Sequence, residues 1–288
     1  VIGTTGGTGG TTAGTGGSTG GTGGVGGSTG GTGGSTGGSA GSEGGTAGTE
    51  GSMGGTGGGG GPACDGTLPT TLVPVSGGYS IDATEVTRCQ YDVWLATSPS
   101  TSGQASVCTW NDSYEPSCEW PPGTKGDHPV VCVEWCDAYA YCQAVGKRLC
   151  GKIGGGMNAL GSHANASTSQ WHAVCSSGGA NDYPYGDTYA GITCNGIDRG
   201  WRTTVPVGYM SGCQSSVDGY AGVYDLSGNV WEWEDSCAKD AGASDACRVR
   251  GGSLADFAYF LTCANDWSDH PARALQHNSL GFRCCSSP

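Results

Sequence analysis

Sixteen cysteines lie between Cys64 and Cys285, and a thiol can ligate a metal, attack an electrophile or close a disulfide. An even number spread through one region reads as a disulfide framework, which forms in an oxidising compartment. The nearest approach to metal-ligand spacing is Cys132-x3-Cys136-x5-Cys142. No matched Cys/His pair follows it, so a zinc site is not expected. Short separations mark Cys108 with Cys118, and Cys237 with Cys247, as loop staples. Adjacent Cys284 and Cys285 are expected to bond different partners, because a bridge between neighbours is strained.

Other reactive side chains form no catalytic pattern. The five histidines (128, 163, 172, 270 and 277) are scattered, and none belongs to an HExxH motif. No GxSxG elbow occurs, and the glycine-rich stretches lack the Gly-Lys-Ser/Thr of a phosphate loop. Glu232, Glu234 and Asp235 sit close together, but a chain with 25 acidic residues produces such groupings by chance. With net charge −13 and only 12 Lys+Arg, a nucleic-acid surface is excluded. No run of about 20 apolar residues is present to span a membrane. A chain that starts at Val1 without an apolar leader is expected to be a mature form whose targeting segment has been removed.

The elements that must position these residues occupy only part of the chain. Residues 1–61 hold 32 Gly, 14 Thr and 6 Ser, with no Cys, Pro or aromatic ring. Such a segment cannot bury enough apolar area to offset chain entropy. As a linker it would span roughly 45 Å end to end. Gly recurs every third residue at 21–33 and 45–60, a spacing that also permits three-fold extended helices reaching roughly 190 Å, packed in an assembly. Residues 62–288 carry all 24 aromatics and form the folded domain. Helical apolar spacing is scarce there, so a loop-rich α+β fold is expected. Asp82-Ala-Thr-Glu85 is a capping-box-like start, predicting a helix over 84–97. A second is predicted over 133–145 with Gly146 as its stop, and a short third over 170–174. The segments 221–233 and 248–253 read as short strands and turns. Asn111 and Asn165 begin N-glycosylation sequons.

In order, the landmarks are Asp82-Ala-Thr-Glu-Val-Thr87, His128-Pro-Val-Val131, Gly146-Lys-Arg-Leu149, Trp171-x3-Cys175 and Tyr183-Pro-Tyr-Gly-Asp187. Val223-Tyr-Asp-Leu-Ser-Gly-Asn-Val-Trp-Glu-Trp233, Arg250-Gly-Gly-Ser253 and Gly281-Phe-Arg283 complete the series. From about residue 78 to 285 this series resembles the formylglycine-generating-enzyme-like (sulfatase-modifying-factor) family. The resemblance implies an irregular fold related to C-type lectins, commonly with structural calcium. Asn195, Gly196 and Asp198 resemble one calcium site of the family, and Asn229 with Glu232 the other. Calcium takes six to eight hard oxygens, which these types supply. Oxidising members bind copper through two cysteines that follow Arg-Gly-Gly-Ser. By spacing those places fall near Asp256 and Leu261, so no copper and no oxidase activity are expected. Other members form sulfur–carbon bonds with iron held by histidines of an added helical domain, which this sequence does not contain.

The functional expectation is a non-catalytic secreted or cell-surface protein that binds a glycan or protein, or copies of itself. The alternative is a structural subunit of an extracellular filament or matrix, with the tail as polymerising element. A copper-dependent oxidase is disfavoured. The candidate ligand surface follows Arg-Gly-Gly-Ser: Asp256, Tyr259, Asn265, Asp266, Trp267 and Asp269, alongside Phe257, Phe260, His270 and Gln276. Aromatics mixed with short polar groups suit such contacts.

Overall fold

In chain order the regular elements are β1 (Leu72–Val75), β2 (Tyr79–Asp82), α1 (Arg88–Leu95), α2 (Trp135–Ala144), β3 (Arg148–Leu149) and α3 (Gln170–Cys175). Then come β4 (Trp231–Cys237), β5 (Cys247–Arg250), β6 (Leu280–Phe282) and β7 (Cys284–Ser286). This computed structural model describes residues 64, 71–239, 242–265 and 270–286, all within one unit, Thr56–Pro288. The tail at 1–61, and Asp266, Trp267 and Asp269 of the candidate surface, lie outside the described residues.

Two small sheets divide the strands. One has the order β1-β2-β7-β3 with antiparallel neighbours. The other has the order β5-β4-β6, in which β4 runs antiparallel to β5 and parallel to β6. A single residue, Arg283, separates β6 from β7, so its backbone steps from one sheet to the other. Short strands, three short helices and long irregular connections give the expected loop-rich α+β fold.

The first helix starts later than its sequence pattern suggests. Thr87 and Gln90 form the capping box: Thr87 Oγ1 accepts from the Gln90 N–H at 3.1 Å, and Gln90 Oε1 accepts from the Thr87 N–H at 2.8 Å. Asp82 instead closes β2, accepting from the Cys284 N–H at 3.0 Å and pairing with Lys147. Tertiary partners took the residues that a local cap would have used. The second and third helices lie where predicted, with Gly146 at φ 73° after α2 and Ser169 Oγ accepting from the His172 N–H at the start of α3.

The larger core is aromatic. Tyr91 stacks on Tyr141 at 5.5 Å, and Trp94 and Phe282 meet the same pair edge-on. Tyr91 Oη donates to the Tyr114 carbonyl at 2.8 Å, whereas the buried Tyr141 hydroxyl has no hydrogen-bond partner.

All sixteen cysteines are paired. The expected staple between Cys108 and Cys118 is not formed. Cys108, in a 3-10 turn (Ser106–Cys108) packed on α2, bonds Cys136 of that helix. Cys118 bonds Cys132, where the Ser117 N–H already donates to the Cys132 carbonyl at 3.1 Å. Proximity in space, fixed by α2, overrode proximity in sequence. Cys237–Cys247 does form and joins a register pair of β4 and β5. Cys284 and Cys285 take different partners, Cys142 on α2 and Cys150 just after β3, because successive side chains of a strand face opposite ways. Of the two sequons, Asn165 is exposed, whereas Asn111 is buried with Nδ2 donating to Asp137 Oδ1 at 2.7 Å.

Candidate functional site

The segment after Arg250-Gly-Gly-Ser253 is built on a buried polar frame. Glu232, central in β4, accepts from Arg283 Nε at 2.7 Å and Trp171 Nε1 at 2.9 Å through one oxygen, and from Arg283 Nη2 at 2.7 Å through the other. Arg250 is fully buried, lies over the Trp171 ring at 5.0 Å, and donates to the Cys263 carbonyl. Burial pushes its pKa down to about 10, and the nearby Glu234 opposes that shift. Cys263 is also bonded to Cys175 of α3, and its N–H donates to the Asp182 carbonyl at 2.7 Å. The loop is therefore clamped at both ends: by Arg250 through β5, and by Cys263 through α3.

Within the loop, side chains divide into those that hold it and those that it presents. Asp256 Oδ2 accepts from the Ser253 N–H at 2.8 Å and from Ser253 Oγ at 2.6 Å, closing a local turn. The Asp256 carbonyl accepts from the Ile197 N–H at 3.1 Å, which fixes the turn to the 195–199 segment. A 3-10 turn, Ala258–Leu261, follows, and Tyr183 Oη donates to the Ala258 carbonyl at 3.2 Å. Leu261 is buried, and Phe260 packs against the aromatic core. Phe257 and Tyr259 point outward, 61% and 71% exposed. Of the expected ligand-surface residues, Tyr259 is presented to solvent, Asp256 holds the turn, and Asn265 is half-buried with its Oδ1 lacking a hydrogen-bond partner.

Gly252 shows how tightly this loop is seated. Its φ is +70°, and a Cβ there would sit 2.7 Å from Leu261 Cδ2 and 2.8 Å from the Phe260 carbonyl oxygen. Both strain and clash oppose any side chain. Gly252→Ala is expected to lower stability by about 2 kcal/mol or more, read by urea denaturation.

The five residues expected at calcium sites separate into different surroundings. Asn195 Nδ2 donates to the Thr203 carbonyl at 3.0 Å and to Asn229 Oδ1 at 3.1 Å, so these two asparagines do meet. Asn229 Oδ1 also accepts from the Val205 N–H at 3.0 Å, and its Nδ2 donates to Glu85 at 2.9 Å. With both Glu232 oxygens facing cationic or N–H donors, the Asn229–Glu232 set does not fit a cation. The Asn195 turn fits better in one respect, since Asn195 Oδ1 is buried with no hydrogen-bond partner. Gly196 packs under Leu261, and Asp198 lies outward, accepting from Tyr189 Oη at 2.9 Å. Among the described residues, no group of three or more His, Cys, Asp or Glu side chains is placed to hold a metal ion.

Sequence reasoning missed Glu85 and Asp225, which join this frame from distant segments. Burial first, then the adjacent Asp225, pushes the Glu85 carboxyl well above its ordinary range. Asp225 is raised to about 6, chiefly by burial, while the Gly208 N–H donating to its Oδ2 at 2.6 Å and the nearby Arg283 limit the rise. Glu85 Oε2 and Asp225 Oδ1 are both buried without a hydrogen-bond partner. In sequence Glu85 ends a capping-box-like pattern, and nothing local announces Asp225, 140 residues away.

Similarity to known proteins bears on the same region. The chain is 29% identical over 191 residues to the formylglycine-generating enzyme of Bos taurus, covering 56% of this chain and 45% of that protein. It is also 29% identical over 187 residues to inactive C-alpha-formylglycine-generating enzyme 2 of Mus musculus, covering 57% and 50%. It thus spans about half the length of the curated relatives it matches. Among solved structures, the crystal structure of CarF superposes with a TM-score of 0.52 at 22% identity, covering 77% of this chain and 100% of that one, and so shares its fold. The family model for the sulfatase-modifying factor enzyme 1-like domain matches residues 43–288, and by that match the chain belongs to this family.

Proposed function

We propose that this domain is a non-catalytic, extracellular binding module that takes a glycan or protein ligand on the loop surface after Arg-Gly-Gly-Ser. One observation carries the reading. By spacing, the two places where the oxidising members have copper-binding cysteines fall near Asp256, which closes a turn, and Leu261, which is buried. Every thiol in the chain is committed to a disulfide. A copper–thiolate centre needs two neighbouring thiolates. Overall similarity does not decide the matter, since relatives named as the enzyme and as its inactive counterpart are equally identical to this chain. Eight disulfides support an oxidising compartment. No described helix is long and apolar enough to cross a membrane.

The test has two arms. With Cu(I) and a cysteine-containing peptide, oxygen consumption is expected to stay at the level of a protein-free control; copper-dependent turnover would overturn the reading. On a glycan and peptide array, a bound ligand is expected to be lost at least about tenfold in Tyr259→Ala, the energy of one aromatic contact. Because Tyr259 is exposed, the same variant is expected to keep its stability within about 0.5 kcal/mol. Binding indifferent to both Tyr259→Ala and Phe257→Ala would place the ligand elsewhere.

A further inference from the structure

A polar pocket of 270 Å³ opens beside the start of the same loop, with Leu254 and Ala255 on one wall. Its other walls come from four distant segments, three of which contribute Arg88, Lys125 and Arg202. The whole chain has only 12 Lys+Arg against 25 Asp+Glu, so three cations at one small cavity run against its composition. Only one carboxylate, Glu119, lines the pocket with them.

The cations have different roles. Arg88 is buried and fixed: its Nε donates to the Pro129 carbonyl at 3.3 Å, and its Nη1 and Nη2 donate to the Glu119 carbonyl at 2.9 Å and Glu119 Oε2 at 3.1 Å. Glu119 is thereby answered by Arg88. Lys125 Nζ stands 3.9 Å from the same carboxylate, with its side chain 41% exposed. Arg202 is exposed and makes no hydrogen bond or ion pair among the described residues. Both Glu119 and Arg202 have positive φ, 56° and 53°, a conformation that costs non-glycine residues energy and concentrates at ligand sites. With Arg88 and Glu119 cancelling, Lys125 and Arg202 leave two positive charges for an incoming anion.

We propose that this pocket binds a sugar residue carrying a single carboxylate, a uronate. Two cations match one carboxylate, and an arginine can grip it with two parallel N–H donors. The Thr203 and Asn278 side chains and the Glu119 carboxylate offer neutral and accepting groups for ring hydroxyls, and Leu254 offers an apolar face. A volume just under the roughly 300–1,000 Å³ typical of ligand pockets suits one such residue. A long polyanion is disfavoured, because the field of a chain with net charge −13 repels it. This inference deepens the binding reading above and rests on it.

Titration calorimetry on the full chain tests it with methyl glucuronoside, methyl glucoside and N-acetyl-aspartate methylamide as probes. The glucuronoside is expected to bind, with added salt weakening it, and the glucoside to bind at least about tenfold more weakly. Arg202→Gln and Lys125→Gln, both at exposed side chains, are each expected to weaken the glucuronoside about tenfold, the scale of one charge-assisted hydrogen bond. Equal affinity of Arg202→Gln and the parent, equal affinity for the glucoside, or equal affinity for the aspartate probe would each overturn the assignment. If the glucuronoside fails to bind while the Tyr259-dependent array ligand persists, this pocket proposal falls and the binding function stands.

Discussion

Replacing Arg283 with methionine is expected to lower the unfolding free energy by about 3–5 kcal/mol at neutral pH, the cost of stranding a buried charge. Arg283 is fully buried. It holds both oxygens of Glu232, the carbonyls of Asp82 at 3.1 Å and Tyr224 at 2.7 Å, and through them both sheets. Methionine fills similar volume, so the loss reads charge and hydrogen bonding rather than a cavity. Without the guanidinium, Glu85, Asp225 and Glu232 face one another's field in a dry interior. Asp225, already raised to about 6, loses the nearby cation that holds its pKa down and rises further. A group raised in the folded state contributes stability below its unfolded pKa and loses it as pH rises through its folded pKa. The deficit of the variant is therefore expected to shrink on acidification and to be greatest at neutral pH. Urea titrations across pH 4–8 check this, and a second change, Glu232→Gln in the Arg283→Met background, is expected to recover part of the loss. A deficit below about 1 kcal/mol, or one independent of pH, would show that the frame does not depend on this ion pair.

That frame also marks how far the sequence could be read. The collinear motifs carried the fold class, because Gly-Asn-Val-Trp-Glu-Trp, Arg-Gly-Gly-Ser and Gly-Phe-Arg are the segments that become β4, the end of β5 and the step from β6 to β7. Their conjunction is a three-dimensional unit: Glu232, Arg250 and Arg283 all meet Trp171 or its partners. Helical spacing placed α2 and α3 because their ends carry local signals, Gly146 and Ser169. It misplaced the start of α1 because Asp82 and Glu85 satisfy any local cap test, yet are claimed by Lys147, Cys284 and Asn229 from far along the chain. The same limit applies to the candidate site. Asp256 looked like a ligand carboxylate, and only the structure shows its oxygen closing a turn on Ser253. The pocket of Arg88, Lys125 and Arg202 has no linear signature at all, since 114 positions separate its first cation from its last.

The two bridges that anchor β7 are expected to be strongly coupled, with removal of both costing more than the sum of the separate losses. Cys142–Cys284 and Cys150–Cys285 close loops of 142 and 135 residues. Taken alone, a loop of that length corresponds to about 5 kcal/mol of unfolded-state entropy. Cys175–Cys263 lies inside both loops and shortens the open path, which brings a first closure down to about 4 kcal/mol. Yet the two bridges close nearly the same loop. With either in place, the other adds only a ring running from 142 to 150 and across the adjacent pair 284–285, about ten residues, worth about 2.7 kcal/mol. The paired variants Cys142→Ala with Cys284→Ala, and Cys150→Ala with Cys285→Ala, are each expected to lose about 2.7 kcal/mol, and the quadruple variant about 7. The lost sulfur packing is common to single and combined removal, so it cancels in the cycle, leaving an excess of about 1.6 kcal/mol. Guanidinium denaturation of the three variants measures it. Strict additivity would mean that the two bridges act on the unfolded chain independently, as they would if the adjacent cysteines were bonded to well-separated parts of the loop. A clear excess would mean that β7 is doubly anchored, so that breaking either bridge leaves Arg283 and both sheets joined while breaking both releases them together.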